Sequence, residues 1–422
     1  MKLKVSYTAE IIAVGTELLL GNTANTDAQD VSLTLSELGI NVYFHTVVGD
    51  NPERLKQAVE IAKSRADIII TTGGLGPTYD DLTKQTLAEA FGKKLVFDDG
   101  MADQIRGFFE TRLHNMVMTE NNLRQAELPE GCVIFDNGIG TAPGCAFEAE
   151  GKHILMLPGP PRECRAMLHS CAVPYLKALS ESGIFSHNIH IFGIGESAVE
   201  DKLYALMKDL ENPTLAPYAK DSEVMLRLTA SAGSAFDAEA MMKPVLQTVR
   251  DTLGDFIYGI DTGTLENTVA ELLIKNGKTL ATAESCTGGL LSKRLTDIPG
   301  ISKVFLGGVV AYHASVKTSI LGIPAQLLDA KGAVHREIAI AMADGAREKM
   351  GADIGVAITG IAGPESDASG IRPGVVFAAL TTAKTQHCRS LDLYQDRERI
   401  RTGAASHALD MLRRHLTGLN VD

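Results

Sequence analysis

A chain of 422 residues is too long for one ordinary core and implies two or three domains. Hydrophobic residues at 45% and charged residues at 22% describe a globular protein, with no apolar run approaching the roughly 18 residues of a membrane span. The net charge of −12 speaks against a general nucleic-acid surface but leaves room for a small phosphorylated ligand. In chain order, the spacing predicts an apolar strand over 10–14 that ends at Gly15-Thr16-Glu17, then a helix over 25–38 stopped by Gly39. A strand over 41–48 and a helix over 52–63 follow. An uninterrupted apolar strand over 67–72 runs into a glycine turn and a helix over 81–91, and a strand over 153–157 is punctuated by Pro158-Gly159-Pro160-Pro161. Strand-then-helix order with continuously apolar strands implies a mostly parallel sheet with helices on both faces. Its functional loops belong at the carboxyl ends of the strands, where Gly15-Thr16-Glu17, 71–83 and Gly159-Pro160 fall.

From about 172 the pattern changes to a small α+β middle domain, with strands over 188–193 and 223–229 and helices over 197–208 and 235–252. An α/β domain resumes after 259, with a helix over 265–276, strands over 279–283, 305–311, 354–358, 374–381 and 388–394, and a last helix over 397–416. The expected domains are therefore 1–171, 172–258 and 259–422, and the part from about 261 onward is expected to fold alone. The N-terminus has no long apolar stretch and no small-residue cleavage site, so the expected location is the cytoplasm. Six cysteines without CxxC or metal spacing read as reduced thiols.

The densest chemistry lies in Glu284-Ser285-Cys286-Thr287-Gly288-Gly289, a tight turn between a strand and a helix. Backbone N–H groups at such a turn can hold an anion, and a hydroxyl there can be aimed at a substrate. Ser285 is the candidate nucleophile. Cys286 is its rival, because a thiol at a helix N-terminus is acidified. A serine needs a base in contact. Lys317 is the preferred base, activated by desolvation, with Tyr312 as its proton relay; His313 and His335 are the alternatives. On spacing alone Lys317 reads first as a surface lysine starting a helix. Thr287 is a natural helix cap, and the N–H groups of Gly288 and Gly289 can form an oxyanion hole, bind a phosphate, or simply make the turn. Arg399 and Arg401, at the start of the last helix, are candidate phosphate clamps, with Arg399 preferred; pairing with Asp396 and Glu398 is the plainer reading. In the first domain, Gly73, Gly74 and Gly76 can wrap an anion with Thr78. Asp80 and Asp81 either cap the following helix or hold a divalent metal ion, with Glu17 as a further acidic ligand.

These stretches carry a resemblance. The run ATAESCTGGLL at 281–291, VAYHASVK at 310–317 and ITGIAGP at 358–364 resemble the nicotinamide mononucleotide (NMN) deamidase family. TTGGLGPTYDDLT at 71–83 resembles the molybdopterin-binding family related to MogA and MoeA. Together they resemble the full-length CinA family. The resemblance implies hydrolysis of the NMN carboxamide by Ser285, Lys317 and Tyr312. It places Gly300, Ser302 and Thr359 in the same pocket. It also implies metal-dependent cleavage of ADP-ribose in the first domain, no cofactor for the deamidase, and a homodimer or higher homo-oligomer. A molybdopterin-binding protein, and an interaction protein linked to competence or recombination, are the alternatives.

Overall fold

Ile11 and Ile12 are both fully buried, on opposite faces of one strand. This is the pattern expected of a sheet covered on both sides. The computed structural model describes residues 7–112, 117–179, 183–220, 223–367, 370–394 and 396–421. The chain forms two compact units, Met1–Phe185 with Ser231–Ala238, and Ser186–Ala230 with Glu239–Asp422.

In the first unit the sheet runs in the order Asn41–Val48, Thr8–Val14, Ile68–Thr72, Lys152–Leu157, Gly144–Ala149, Val133–Phe135. The first four strands are parallel and the last two pair antiparallel. One core packs Ile11, Ile70 and Leu155 under the helix Thr26–Glu37. The other packs Ile12, Ile69 and Met156 against the helix Pro52–Arg65. Carboxyl ends of the central strands meet at Gly73, whose N–H donates to the Leu157 carbonyl at 3.0 Å. Gly73 has φ +93°, and a Cβ there would fall 2.2 Å from the Val14 carbonyl oxygen, so only glycine fits.

The second unit holds most of a four-stranded sheet, Thr214–Lys220, Glu223–Ala232, Gly183–Ile191 and Ile257–Ile260 in spatial order, with the helix Glu196–Lys208 and most of the helix Ala235–Leu253. Strand Thr214–Lys220 carries Pro217, which hides it from a sequence reading; as an edge strand it tolerates the missing N–H. Beyond it lies a five-stranded sheet in the order Phe305–Val310, Leu280–Glu284, Ile354–Gly360, Val375–Thr382, Gln386–Asp392. The first three strands are parallel and the last two antiparallel. Ala281 and Ala283 face the helix Arg336–Met350, while Leu280 faces the long last helix, Arg397–Leu416. Phe192 and Tyr258, from the four-stranded part, belong to that second core. Among the described residues, no helix is long and apolar enough to cross a membrane.

Candidate active site

The strand Leu280–Glu284 lies between two parallel neighbours, and its carboxyl end leads straight into the turn. Ser285 follows directly, pinned by its N–H to the Ile358 carbonyl at 2.9 Å. Lys317 reaches the same point from the short helix Ala314–Ser319. Its Nζ lies 2.9 Å from Ser285 Oγ and 2.7 Å from the Ala311 carbonyl oxygen. Both side chains are buried, Lys317 at 1% exposure, so the lysine is not a surface residue. Burial lowers its pKa to about 8, a little offset by the nearby Cys286. An amine of that pKa is part-neutral near neutral pH and can accept the hydroxyl proton of Ser285.

Glu284 is what gives the turn its shape. It is fully buried, and its carboxylate accepts from the N–H groups of Gly289 and Leu291 (3.0 Å each) and Ser292 (2.8 Å), and from Ser292 Oγ at 2.6 Å. These are the otherwise unpaired donors at the start of the helix Leu290–Thr296. On the other side, Arg401 donates twice to the Thr287 carbonyl, at 2.7 and 3.3 Å.

Several expectations change as a result. The Gly289 N–H is spent on Glu284, and the Gly288 N–H donates to the Ser285 carbonyl at 3.0 Å, so neither is an anion donor. Both glycines serve the turn, with φ +60° and +95°. Thr287 is buried but does not cap; its Oγ1 has no hydrogen-bond partner among the described residues. Burial raises the Cys286 thiol to about 11, only partly countered by its own and Thr287's N–H groups and by Lys317. It packs as core, the opposite of an acidified nucleophile. His313 and His335 each cap a helix, accepting from Ser315 and Glu337 N–H.

Tyr312 stands apart from the pair. It is 61% exposed, and its hydroxyl accepts from Arg397, which also donates to the Gly363 carbonyl. Thr359 is buried beside Ser285's strand, and its hydroxyl donates to the Ala333 carbonyl at 2.8 Å. Arg399 is exposed and faces Asp396 at 3.8 Å, so of the two arginines Arg401 is the one that touches the turn. Gly300 and Ser302 precede the strand Phe305–Val310, whose first residue pairs with Leu280. They sit at the opposite end of a parallel strand from Ser285, about 16 Å away for five residues of strand. Within one chain they do not line its pocket.

In the first unit a cleft of about 620 Å³ is lined by Gly73, Gly74, Gly76, Thr78, Asp80, Asp81 and Glu17. The loop is braced internally. Thr78 donates through its N–H (2.9 Å) and Oγ1 (2.6 Å) to Asp81 Oδ2, and also to Asp80. Thr83, rather than either aspartate, ties the turn to its helix, donating to the Gly73 carbonyl at 3.0 Å. Glu17 is exposed and folds back over Gly15. Among the described residues no three acidic, histidine or cysteine side chains form a metal cluster. A divalent ion therefore does not fit these carboxylates as a ligand cage of their own. Sequence spacing did not point to Lys84, which is buried and donates to the Gln125 carbonyl at 2.7 Å, nor to Gln125, whose own side-chain oxygen is buried without a partner among the described residues.

Residues 10–178 match the probable molybdopterin binding domain, 186–259 the damage-inducible protein CinA KH domain, and 262–416 the CinA C-terminal domain. A CinA-like protein of Dictyoglomus turgidum is 48% identical over 97% of this chain and 99% of its own length. A putative competence-damage inducible protein of Acetivibrio thermocellus is 46% identical over 97% and 99%. Among solved structures, the protein CinA with unknown function from Thermoplasma acidophilum is 32% identical, over 40% of this chain and 96% of that one, with a TM-score of 0.37.

Proposed function

Because the chain belongs to the CinA family, we propose that its C-terminal part hydrolyses the carboxamide of NMN to nicotinate mononucleotide and ammonia. The observation that carries this reading is the buried 2.9 Å contact between Lys317 Nζ and Ser285 Oγ. Ser285 Oγ bonds to the amide carbon while its proton passes to Lys317, and the carbonyl oxygen takes up the electron pair. When that pair returns, the C–N bond breaks. The nitrogen takes the proton from Lys317 and leaves as ammonia. Water then attacks the acyl ester, passing a proton to Lys317, and Oγ recovers its proton as the acid departs. Arg401 and Glu284 hold the turn that carries Oγ. Arg397 and Tyr312 stand at the exposed side, where a substrate phosphate can meet a cation. The experiment is ammonia release from NMN by the purified protein and by Ser285→Ala. Equal rates would overturn the reading.

For the first unit the proposal is cleavage of the ADP-ribose pyrophosphate. The Gly73–Thr78 loop lining an open cleft supports binding of a phosphate-bearing ligand. A divalent ion serving this reaction would need oxygens from the substrate's phosphates beside Asp80 and Asp81. Release of AMP from ADP-ribose, with and without added magnesium, tests it. The assembly is proposed to be a homodimer or larger homo-oligomer in the cytoplasm.

A further inference from the structure

On the second unit, toward the C-terminal end of the last helix from Arg401, lies an open cavity of about 670 Å³ that the proposed chemistry does not use. One wall is apolar: Phe192, Phe256 and Leu391. The other is cationic, with Arg336, Arg389 and Arg414 lining it and Arg413 behind. Four guanidinium groups face only two carboxylates. Asp410 is shared between Arg389 (2.9 Å) and Arg413 (2.7 Å), and Asp255 lies 3.5 Å from Arg414. The local balance is positive in a chain whose net charge is −12. Arg336 makes no side-chain hydrogen bond or ion pair with any other described residue. His407 sits between this cavity and an adjoining one of about 410 Å³, its ring edge-on to Phe192 at 5.0 Å. Its Nδ1 is buried without a hydrogen-bond partner among the described residues. Buried polar atoms are rarely left so, and an aromatic wall opposite the uncommitted Arg336 guanidinium, with Arg389 and Arg414 beside it already engaged by carboxylates and backbone carbonyls, is a complementary surface for a flat anion.

We propose that this cavity binds an organic phosphate of mononucleotide size, its ring against Phe192 and Phe256 and its phosphate on Arg336. The volume lies within the range of small-molecule sites. None of the residues that line it belongs to the Ser285–Lys317 pair or to the Gly73–Thr78 cleft.

The chain contains no tryptophan. A single Phe256→Trp substitution, excited selectively at wavelengths where the nine tyrosines do not absorb, therefore gives the full-length protein tryptophan emission from this cavity alone. AMP is the probe, with adenosine and inorganic phosphate as controls. The expected result is a saturable change in emission with AMP, weakened at least tenfold by Arg336→Ala, with both controls at least tenfold weaker than AMP. No change at millimolar AMP, or a response untouched by Arg336→Ala, would overturn the proposal. So would adenosine or phosphate binding as tightly as AMP, since either would mean that only half of the surface is used. Should Phe256→Trp not fold, hydrogen exchange of the wild-type strand Gln386–Asp392 gives the same decision: slowed by AMP in wild type and not in Arg336→Ala, or the proposal fails.

Discussion

Ser292 gives Glu284 Oε1 both its backbone N–H and its hydroxyl, at 2.8 and 2.6 Å. A carboxylate is needed here because all four of the donors around it want an acceptor. Glu284→Gln keeps the shape and turns one acceptor into a donor facing donors. We expect a loss of about 2–4 kcal/mol in stability, as for other buried charged hydrogen bonds left unpaired. NMN turnover should fall with it. A thermal melt indistinguishable from wild type would mean that the turn keeps its shape without the carboxylate.

Ser285→Ala should lower NMN turnover by about a thousandfold or more with the fold intact, since a small hydroxyl at a strand end contributes little packing. Lys317→Arg should be similarly inactive, because arginine stays protonated. Lys317→Met should be inactive yet melt higher at pH 7.

The pH profile follows from the same lysine. With its pKa lowered to about 8 by burial, about a tenth of the amine is neutral at pH 7 and about nine-tenths at pH 9. The deamidation rate should rise about tenfold across that range. Because the folded-state pKa lies below the unfolded one, the charged lysine opposes folding, by about 1–3 kcal/mol at pH 7. That penalty is relieved as pH rises above 8. A rate flat between pH 7 and 9 would show that another group sets the base.

Arg401→Ala should cut NMN turnover by about tenfold or more, because the Thr287 carbonyl loses both of its guanidinium donors. Arg399→Ala should be nearly silent, as expected of an exposed arginine paired with Asp396. The reverse order of effects would show that Arg399 contacts the substrate and that the Arg401–Thr287 contact does not govern the turn.

EDTA should abolish AMP release from ADP-ribose and leave ammonia release from NMN unchanged. The two proposed sites lie on different sheets, and among the described residues the Ser285–Lys317 pair has no acidic ligand cluster beside it. Equal inhibition of both activities would contradict two independent sites.

Much of this was legible in the chain. Uninterrupted apolar runs marked the central strands, and the glycine turn after Leu280–Glu284 marked where a nucleophile would sit. Lys317 reaches Ser285 across 32 residues, a contact that two strand ends made a candidate, that spacing does not specify and that the family resemblance strengthened. Glu284 looked like part of a turn because nothing in sequence says that a carboxylate is buried under a helix end. Arg399 and Arg401 are two residues apart on a helix, so they point to nearly opposite sides, and hydropathy alone does not say which side faces the turn. The placing of Gly300 and Ser302 was open to correction from sequence alone: a loop that precedes a parallel strand lies at the other end of the sheet from a loop that follows its neighbour.

Phe192 and Tyr258 sit in the same core as Leu280 and Leu409, and Arg413 donates to the carbonyls of Asp255 and Ile257. Covalent continuity through 259–264 is therefore not what keeps these two parts together. A protease that cuts only there should yield two fragments on a denaturing gel that still travel as a single species through a sizing column, until a denaturant releases them.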